Sequence, residues 1–170
     1  MKVETFWKWL AIGCPTSQPG WRNLINRFLL VHIVIAAIAT VVIKSDPFDF
    51  AGTALFPAAS ILVGMSLAWT TRASTVLQNA ELREKLMAES RPAEDYIYGY
   101  QLAILTIILM VIYISVMAAG GLKFTVLGEP YDTYSSAFFM YLIISMSLRE
   151  CWGVVTFTNM LTLFDYRELR

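Results

Sequence analysis

Charged residues are scarce in this sequence, at 15% of its 170 positions, whereas hydrophobic residues make up 57%. Soluble domains carry about 25% charged residues, so a soluble fold of this length would lack the residues to cover its surface. Basic and acidic residues balance at 13 each, which gives no indication of direct nucleic-acid binding. The composition predicts an integral membrane protein.

Residue types that support catalysis or metal binding are also few. The sequence has one histidine, so a single chain cannot supply paired histidine ligands to haem or a histidine-rich metal site. Its two cysteines, Cys14 and Cys151, lack metal-ligand spacing, and we expect both to be free thiols on the reducing side of the membrane. A glycine-rich phosphate loop and a Ser/His/Asp set are missing. We therefore expect no enzyme activity and no cofactor.

Charge-free windows in the sequence predict an all-α fold with four transmembrane helices. A span needs about 20 mostly apolar residues at a rise of 1.5 Å each. The windows 50–71 and 96–122 meet that length alone, and the window 28–43 meets it when it is extended past Arg27. The predicted spans are 24–43, 51–71, 97–120 and 134–154.

The distribution of Lys and Arg predicts the orientation of these spans. Eleven of the 13 basic residues flank the spans on one side, and only Lys44 and Lys123 fall on the other. Both termini are therefore expected in the cytoplasm, across the cell inner membrane, with residues 121–133 as an outer loop. This bias argues against a dual-topology protein such as an antiparallel small multidrug transporter. Those transporters use a membrane-embedded glutamate in their first helix, which this sequence lacks.

Three segments outside the spans are predicted to be helical. Residues 1–20 place Trp and Phe side chains between lysines, which is typical of a short helix in the inner membrane interface. Residues 72–91 continue the second span as a cytoplasmic helix, and residues 155–170 continue the fourth. No soluble domain fits on either side, so residues 1–170 form a single transmembrane domain.

The two halves of the sequence resemble each other. Residues 46–49 (DPFD) match residues 129–132 (EPYD), and residues 64–67 (GMSL) match residues 145–148 (SMSL). The interval between the matched blocks is two residues longer in the first half. The pattern predicts two helical hairpins of the same orientation, a parallel repeat that suits symmetric assembly around a central axis. Chance similarity between apolar helices that start with similar turns is the alternative.

Arg149 and Glu150 are the one ionisable pair that interrupts an apolar helix. The fourth span reaches membrane length only if they lie at or just inside the inner face, where an unpaired charge is costly. Because adjacent residues point about 100° apart on a helix, we expect one to pair with a neighbouring helix or subunit and the other to face a water-filled axis. They are thus a candidate pore or intersubunit ion pair. A tilted helix whose pair marks the interface is the alternative.

Small and polar residues inside the spans provide further candidates. Ser60, Gly64 and Ala68 recur every four residues, a spacing that lets membrane helices approach closely. Packing within the chain and self-association both satisfy this pattern. His32, in the first span, is a candidate polar membrane residue that either hydrogen-bonds a neighbouring helix or serves a proton relay or pore.

Residues 81–95 (ELREKLMAESRPAED) carry most of the soluble charge, in mixed sign. This pattern is typical of a solvated helix face, and it also suits a docking surface for a soluble cytoplasmic protein. The candidate docking residues are Glu81, Leu82, Glu84, Lys85 and Glu89.

Two functional hypotheses follow from these features. In the first, a homo-oligomer, trimer to pentamer, is the membrane platform of a larger bacterial complex and anchors or signals to a cytoplasmic effector. Compact four-helix proteins act in this way in some phage-defence systems. In the second, the homo-oligomer is an ion channel with Arg149 and Glu150 near the lumen. Residues 61–74 (ILVGMSLAWTTRAS) resemble the small-residue helix ends of bestrophin-like channels over that one helix, which assigns no family.

Overall fold

The computed structural model describes residues 5–13, 18–77, 93–121 and 131–168, and all regular secondary structure within them is helical. The predicted all-α fold class is therefore confirmed for this part of the chain. In chain order the elements are α1 (Phe6–Ile12), α2 (Trp21–Leu24), α3 (Arg27–Val42), α4 (Pro47–Phe50), a π-helical segment (Ala51–Leu55), α5 (Phe56–Leu77), α6 (Ala93–Ala118) and α7 (Tyr131–Glu168).

Within the described ranges, three helical stretches are long and apolar enough to cross a membrane: Pro47–Ala68, Ile97–Ala118 and Asp132–Met160. They support a membrane protein with helices at the second, third and fourth predicted spans. The remaining apolar helix, Arg27–Val42, has 16 residues and a length of about 24 Å. It falls below the length of a typical span, so the four-span arrangement stays a prediction.

The helix break before α3 explains why the first apolar helix is short. α2 ends at Leu24, and Ile25 follows with φ −96° and ψ 76°, outside the helical region. Asn26 Nδ2 donates a hydrogen bond to the carbonyl of Asn23 at 2.8 Å, so the side chain takes the place of a helical backbone bond. The continuous helix therefore begins at Arg27 and not at residue 24.

The second apolar helix begins with a capped turn. Asp46 Oδ1 accepts a hydrogen bond from the Phe48 backbone N–H at 2.8 Å, and Pro47 occupies the first turn, where its missing N–H is not needed. The π-helical segment Ala51–Leu55 follows, and its i→i+5 ring holds one more residue than an α-helical turn. This segment lies in the interval that is two residues longer in the first half of the sequence. In the second half of the sequence, Tyr131 and Asp132 of the matching block are the first two residues of α7.

α7 is one continuous helix of 38 residues, about 57 Å long. The hydrocarbon core of a bilayer is only about 30 Å thick, so α7 extends well beyond a single crossing. Its course agrees with the predicted helical continuation of the fourth span as far as Glu168. α5 likewise continues to Leu77, while residues 78–91 of its predicted extension lie outside the described part of the chain.

Contacts divide the chain into two units, which are treated separately below. Unit 1 comprises Met1–Asn26, Met65–Ile104 and Cys151–Arg170, and unit 2 comprises Arg27–Gly64 and Leu105–Glu150.

The core of unit 2 is formed where α6 packs against α7. α6 buries Ile107, Met110, Ile114 and Met117, which recur at intervals of three and four residues on one face. Two hydrogen bonds join the same helices. The Tyr113 hydroxyl donates to the Ser136 carbonyl at 3.1 Å, and the Ser147 hydroxyl donates to the Thr106 carbonyl at 3.4 Å. Apolar burial and polar contacts thus fix α6 and α7 as a hairpin.

Two glycines follow the end of α6. Gly120 and Gly121 have φ of 96° and 74°, a left-handed conformation that glycine adopts without strain. Their backbone N–H groups donate to the carbonyls of Met117 and Val116 at 3.0 and 2.9 Å, which pairs the last turn of the helix.

The core of unit 1 centres on Trp9, which α1 buries almost completely, with 1% of its surface exposed. The indole ring lies 5.6 Å from the ring of Tyr98 between centroids, and it packs with Leu102. Phe6, Leu10 and Leu24 surround this pair as partly buried neighbours. The predicted short N-terminal helix is therefore present and packed against α6, and its location in the membrane interface stays a prediction.

Gly20 is required beside Trp9 because the chain passes directly over the indole ring. The Gly20 backbone N–H donates to the Trp9 carbonyl at 3.1 Å. A Cβ atom at Gly20 would overlap three atoms of that ring. A larger residue must therefore displace either the loop or the buried tryptophan.

We predict that Gly20→Ala lowers the melting temperature of the purified protein, since overpacking a core costs about 1–3 kcal/mol. Gly99→Ala is the matched control, because Gly99 lies on α6 in the same unit and a Cβ there meets nothing within 4 Å. Alanine is the better helix former, so the control should be as stable as the wild type or more so. Equal melting temperatures for the two variants would contradict the packing described here.

Candidate functional site

His32 lies on the packed face of α3 in unit 2. Only 7% of its surface is exposed, and Ala36, one turn later, is the other buried residue of this helix. His32 Nδ1 lies 2.7 Å from Ser145 Oγ on α7. The hydrogen bond to a neighbouring helix, one of the two roles expected for His32, is therefore present, and it joins α3 to α7.

The second ring nitrogen of His32 defines its protonation state. Nε2 is buried and has no hydrogen-bond partner among the described residues. A neutral imidazole carries one N–H and one lone pair, and a buried N–H without a partner is the rarer and more costly arrangement. We therefore assign the proton to Nδ1, which donates to Ser145 Oγ and leaves only a lone pair on Nε2.

Arg149 and Glu150 bond to each other in this structure. Arg149 Nε donates to Glu150 Oε1 at 3.0 Å, and Arg149 Nη2 donates to the same oxygen. Their side chains are 25% and 19% exposed, so both are largely withdrawn from the surface. The two residues leave the helix in different directions, but their long side chains bend back to meet. Bonding within one helix differs from the expected pairing across helices, and a place for the pair at a pore or subunit boundary stays a prediction.

The fold brings these groups together as a polar cluster of His32, Ser145, Arg149 and Glu150, which we call the His32 cluster. Ser145 and Arg149 are four residues apart and share a face of α7. Glu150 follows Arg149 and accepts a hydrogen bond from it. All three α7 residues lie within the apolar stretch Asp132–Met160. The cluster is thus a compact polar site among apolar helices.

Ser145 is the member of the cluster that sequence analysis did not single out. Its spacing of four residues before Arg149 was the available signal, because that spacing places both side chains on one helix face. No pattern in the sequence links Ser145 to His32, since 113 positions separate them.

Unit 1 contains a second polar contact, between α5 and α7. Ser66 Oγ lies 3.2 Å from Cys151 Sγ, and Ser66 is 5% exposed. Cys151 is a free thiol, as expected, whereas Cys14 lies outside the described residues. Ser66 occupies the same position as Ser147 in the two matched sequence blocks, and Ser147 is also fully buried. Both matched blocks therefore contain a buried serine, and the parallel repeat itself stays a prediction.

The small residues of α5 are not covered by the described part of the chain. Ser60, Gly64 and Ala68 are all exposed, and a Cβ at Gly64 would meet nothing within 4 Å. Ile61 and Met65 are 65% and 52% exposed and form ridges beside this stripe. No helix in the described part of the chain fills the groove around Gly64, which favours self-association over packing within the chain.

The candidate docking residues Glu81, Leu82, Glu84, Lys85 and Glu89 lie outside the described residues. Within the described ranges, no group of three or more His, Cys, Asp or Glu side chains is placed to hold a metal ion. No protein-family model, curated protein or solved structure matches the chain. Proposals about its function therefore depend on its own contacts, burial and charges.

Proposed function

We propose that this chain is the subunit of a symmetric homo-oligomer that serves as the membrane-embedded platform of a larger bacterial complex. The observation that carries the proposal is the open groove around Gly64 on α5. The assembly, a trimer to pentamer, would hold or signal to a soluble cytoplasmic effector, as platforms do in phage defence.

The groove supports self-association because small residues bury little apolar surface when a helix faces lipid. Large apolar side chains are better suited to a lipid-facing surface. α3 carries many of them, including Leu30, Ile38 and Val41, which are 69%, 57% and 77% exposed. Interfaces between membrane helices are instead enriched in small residues, which let two backbones approach closely. We infer that the exposed stripe on α5 receives a helix from a second copy.

The proposal includes four spans with both termini in the cytoplasm. α3 is shorter than the hydrocarbon core, but a short helix is accommodated when basic side chains at its ends extend to the interface or when the bilayer thins locally. Arg27 and Lys44 stand at the two ends of α3 and suit that role. The buried serines and the π-helical segment support the parallel repeat, since they occur at the points where the two halves match or differ in length.

The helical extensions support the platform role. α7 is about 57 Å long, so a membrane crossing leaves several turns of it outside the bilayer. In the predicted orientation these turns project into the cytoplasm. The segment 81–95 is predicted on the same side of the membrane, and its mixed charges suit a protein partner. An effector would dock there, on the same side as both termini.

We predict that Gly64→Ile converts the oligomer to monomers, because a branched side chain in the groove prevents close approach of a second helix. Gly153→Ile is the matched control, since Gly153 is an exposed glycine of α7 whose Cβ would also meet nothing within 4 Å. Native mass spectrometry of gently extracted protein measures the subunit number. A Gly64→Ile variant that keeps the wild-type number would refute the groove as the interface, and loss of the oligomer in Gly153→Ile alone would move the interface to α7.

Ion conduction is the second candidate, and the His32 cluster is the observation that favours it. Ionisable residues within membrane helices face the interior of a bundle or a water-filled cavity and commonly mark ion pathways. If the axis of the oligomer runs past the inner end of the predicted fourth span, 134–154, Arg149 and Glu150 lie near the lumen.

We predict for this candidate that Arg149→Ala shifts the reversal potential towards cation selectivity, because Glu150 then keeps its charge without a neutralising partner. Arg149→Lys preserves the positive charge and should retain the wild-type potential. Planar bilayer recordings in a KCl gradient measure both. The absence of any current from the wild-type protein, or an identical potential for the alanine variant, would exclude conduction near this pair.

A further inference from the structure

A cavity of about 650 Å³ opens in unit 2 beside the C-terminal end of α3, more than two turns along the helix from His32. It is lined by the last turn of α3, the start of α4 and the first turns of α7. Its volume lies within the range of pockets that bind small molecules, about 300–1,000 Å³. Its lining combines charged, hydroxyl-bearing and apolar side chains, a mixture that suits an amphiphilic ligand.

Two opposite charges stand at the cavity without being paired to each other. Lys44 and Asp46 are both exposed, and neither has an ion-pair partner among the described residues. Asp46 Oδ1 accepts the Phe48 N–H that caps α4, which fixes the direction of the carboxylate and leaves Oδ2 for a ligand. The ammonium of Lys44 is likewise available. The site therefore presents one cation for a phosphate and one carboxylate for an ammonium.

Hydroxyl groups and apolar walls complete the lining. Thr133 and Tyr134 contribute hydroxyls from α7, and Tyr134 is 60% exposed. Val41, which also lines the cavity, is 77% exposed and continues the lipid-facing surface of α3 towards Ile38. An acyl chain can follow this apolar surface while the polar end of the same molecule occupies the cavity. A water-soluble ligand without an acyl chain would gain no binding free energy from this apolar surface.

We propose that this cavity binds the headgroup of phosphatidylethanolamine, with the phosphate at Lys44, the ammonium at Asp46 and an acyl chain along Val41 and Ile38. A primary ammonium donates hydrogen bonds to the carboxylate and the neighbouring hydroxyls, whereas the quaternary ammonium of phosphatidylcholine has no N–H to donate. The cavity therefore distinguishes ethanolamine from choline headgroups.

The test is a lipid titration of the intact protein in detergent, read by native mass spectrometry. Wild type should bind dioleoyl phosphatidylethanolamine about fivefold to tenfold more tightly than the phosphatidylcholine with the same chains, the difference expected from one hydrogen bond that only the ethanolamine headgroup makes. Asp46→Asn should reduce ethanolamine binding to the choline level while keeping the helix cap, because asparagine caps as well as aspartate. Lys44→Ala should weaken both lipids. Arg27→Ala, at the other end of α3, is the control and should change neither.

Three results would overturn the proposal. The first is equal binding of the two lipids by the wild type. The second is tighter binding of phosphatidylglycerol that Asp46→Asn leaves unchanged, which would make the cavity a site for anionic lipid. The third is equally tight binding of glycerophosphoethanolamine, which lacks acyl chains and would show that the apolar surface of α3 takes no part.

Discussion

Polar groups within apolar helices must find partners inside the protein, and this requirement determines how the helices of this chain pack. A buried polar group without a partner costs several kcal/mol in an apolar medium. α7 provides these hydrogen-bond partners in each unit. In unit 2, Ser145 bonds to His32 on α3, and Ser147 bonds to a backbone carbonyl of α6. In unit 1, Cys151 bonds to Ser66 on α5. α3 depends most on this, since it is short, largely exposed and buried chiefly at His32 and Ala36.

The mutual bond of Arg149 and Glu150 bears on the choice between the two functional candidates. A pair that neutralises itself on one helix can reside in an apolar stretch without help from a second subunit. Assembly then depends on other surfaces, and the exposed small residues of α5 supply one. This is why the platform is the leading proposal. Conduction requires in addition that the axis of the oligomer exposes the pair to water.

Local features of the fold could be predicted from the sequence, because they depend on residues close together in the chain. Charge-free windows predicted the second to fourth apolar helices, and the third predicted span, 97–120, ended two residues beyond α6. The break at Ile25 and Asn26 was missed because it depends on one side-chain hydrogen bond, and the search for apolar windows counted Leu24 and Ile25 as part of the first span. The contact of His32 with Ser145 could not be predicted from the sequence either, because only the packing of the helices brings together residues so far apart in the chain. The direction of the Arg149 side chain was open because long side chains can bend.

The bond between His32 and Ser145 holds α3 against α7. A double-mutant cycle of His32→Leu and Ser145→Ala, measured by unfolding the purified protein in mixed micelles, tests whether the two side chains stabilise each other. We expect a coupling energy of about 1 kcal/mol between the two sites. His32→Leu combined with Ser115→Ala should be additive, because Ser115 donates only to the Val111 carbonyl of its own helix. Additive effects of His32→Leu and Ser145→Ala would contradict the claim.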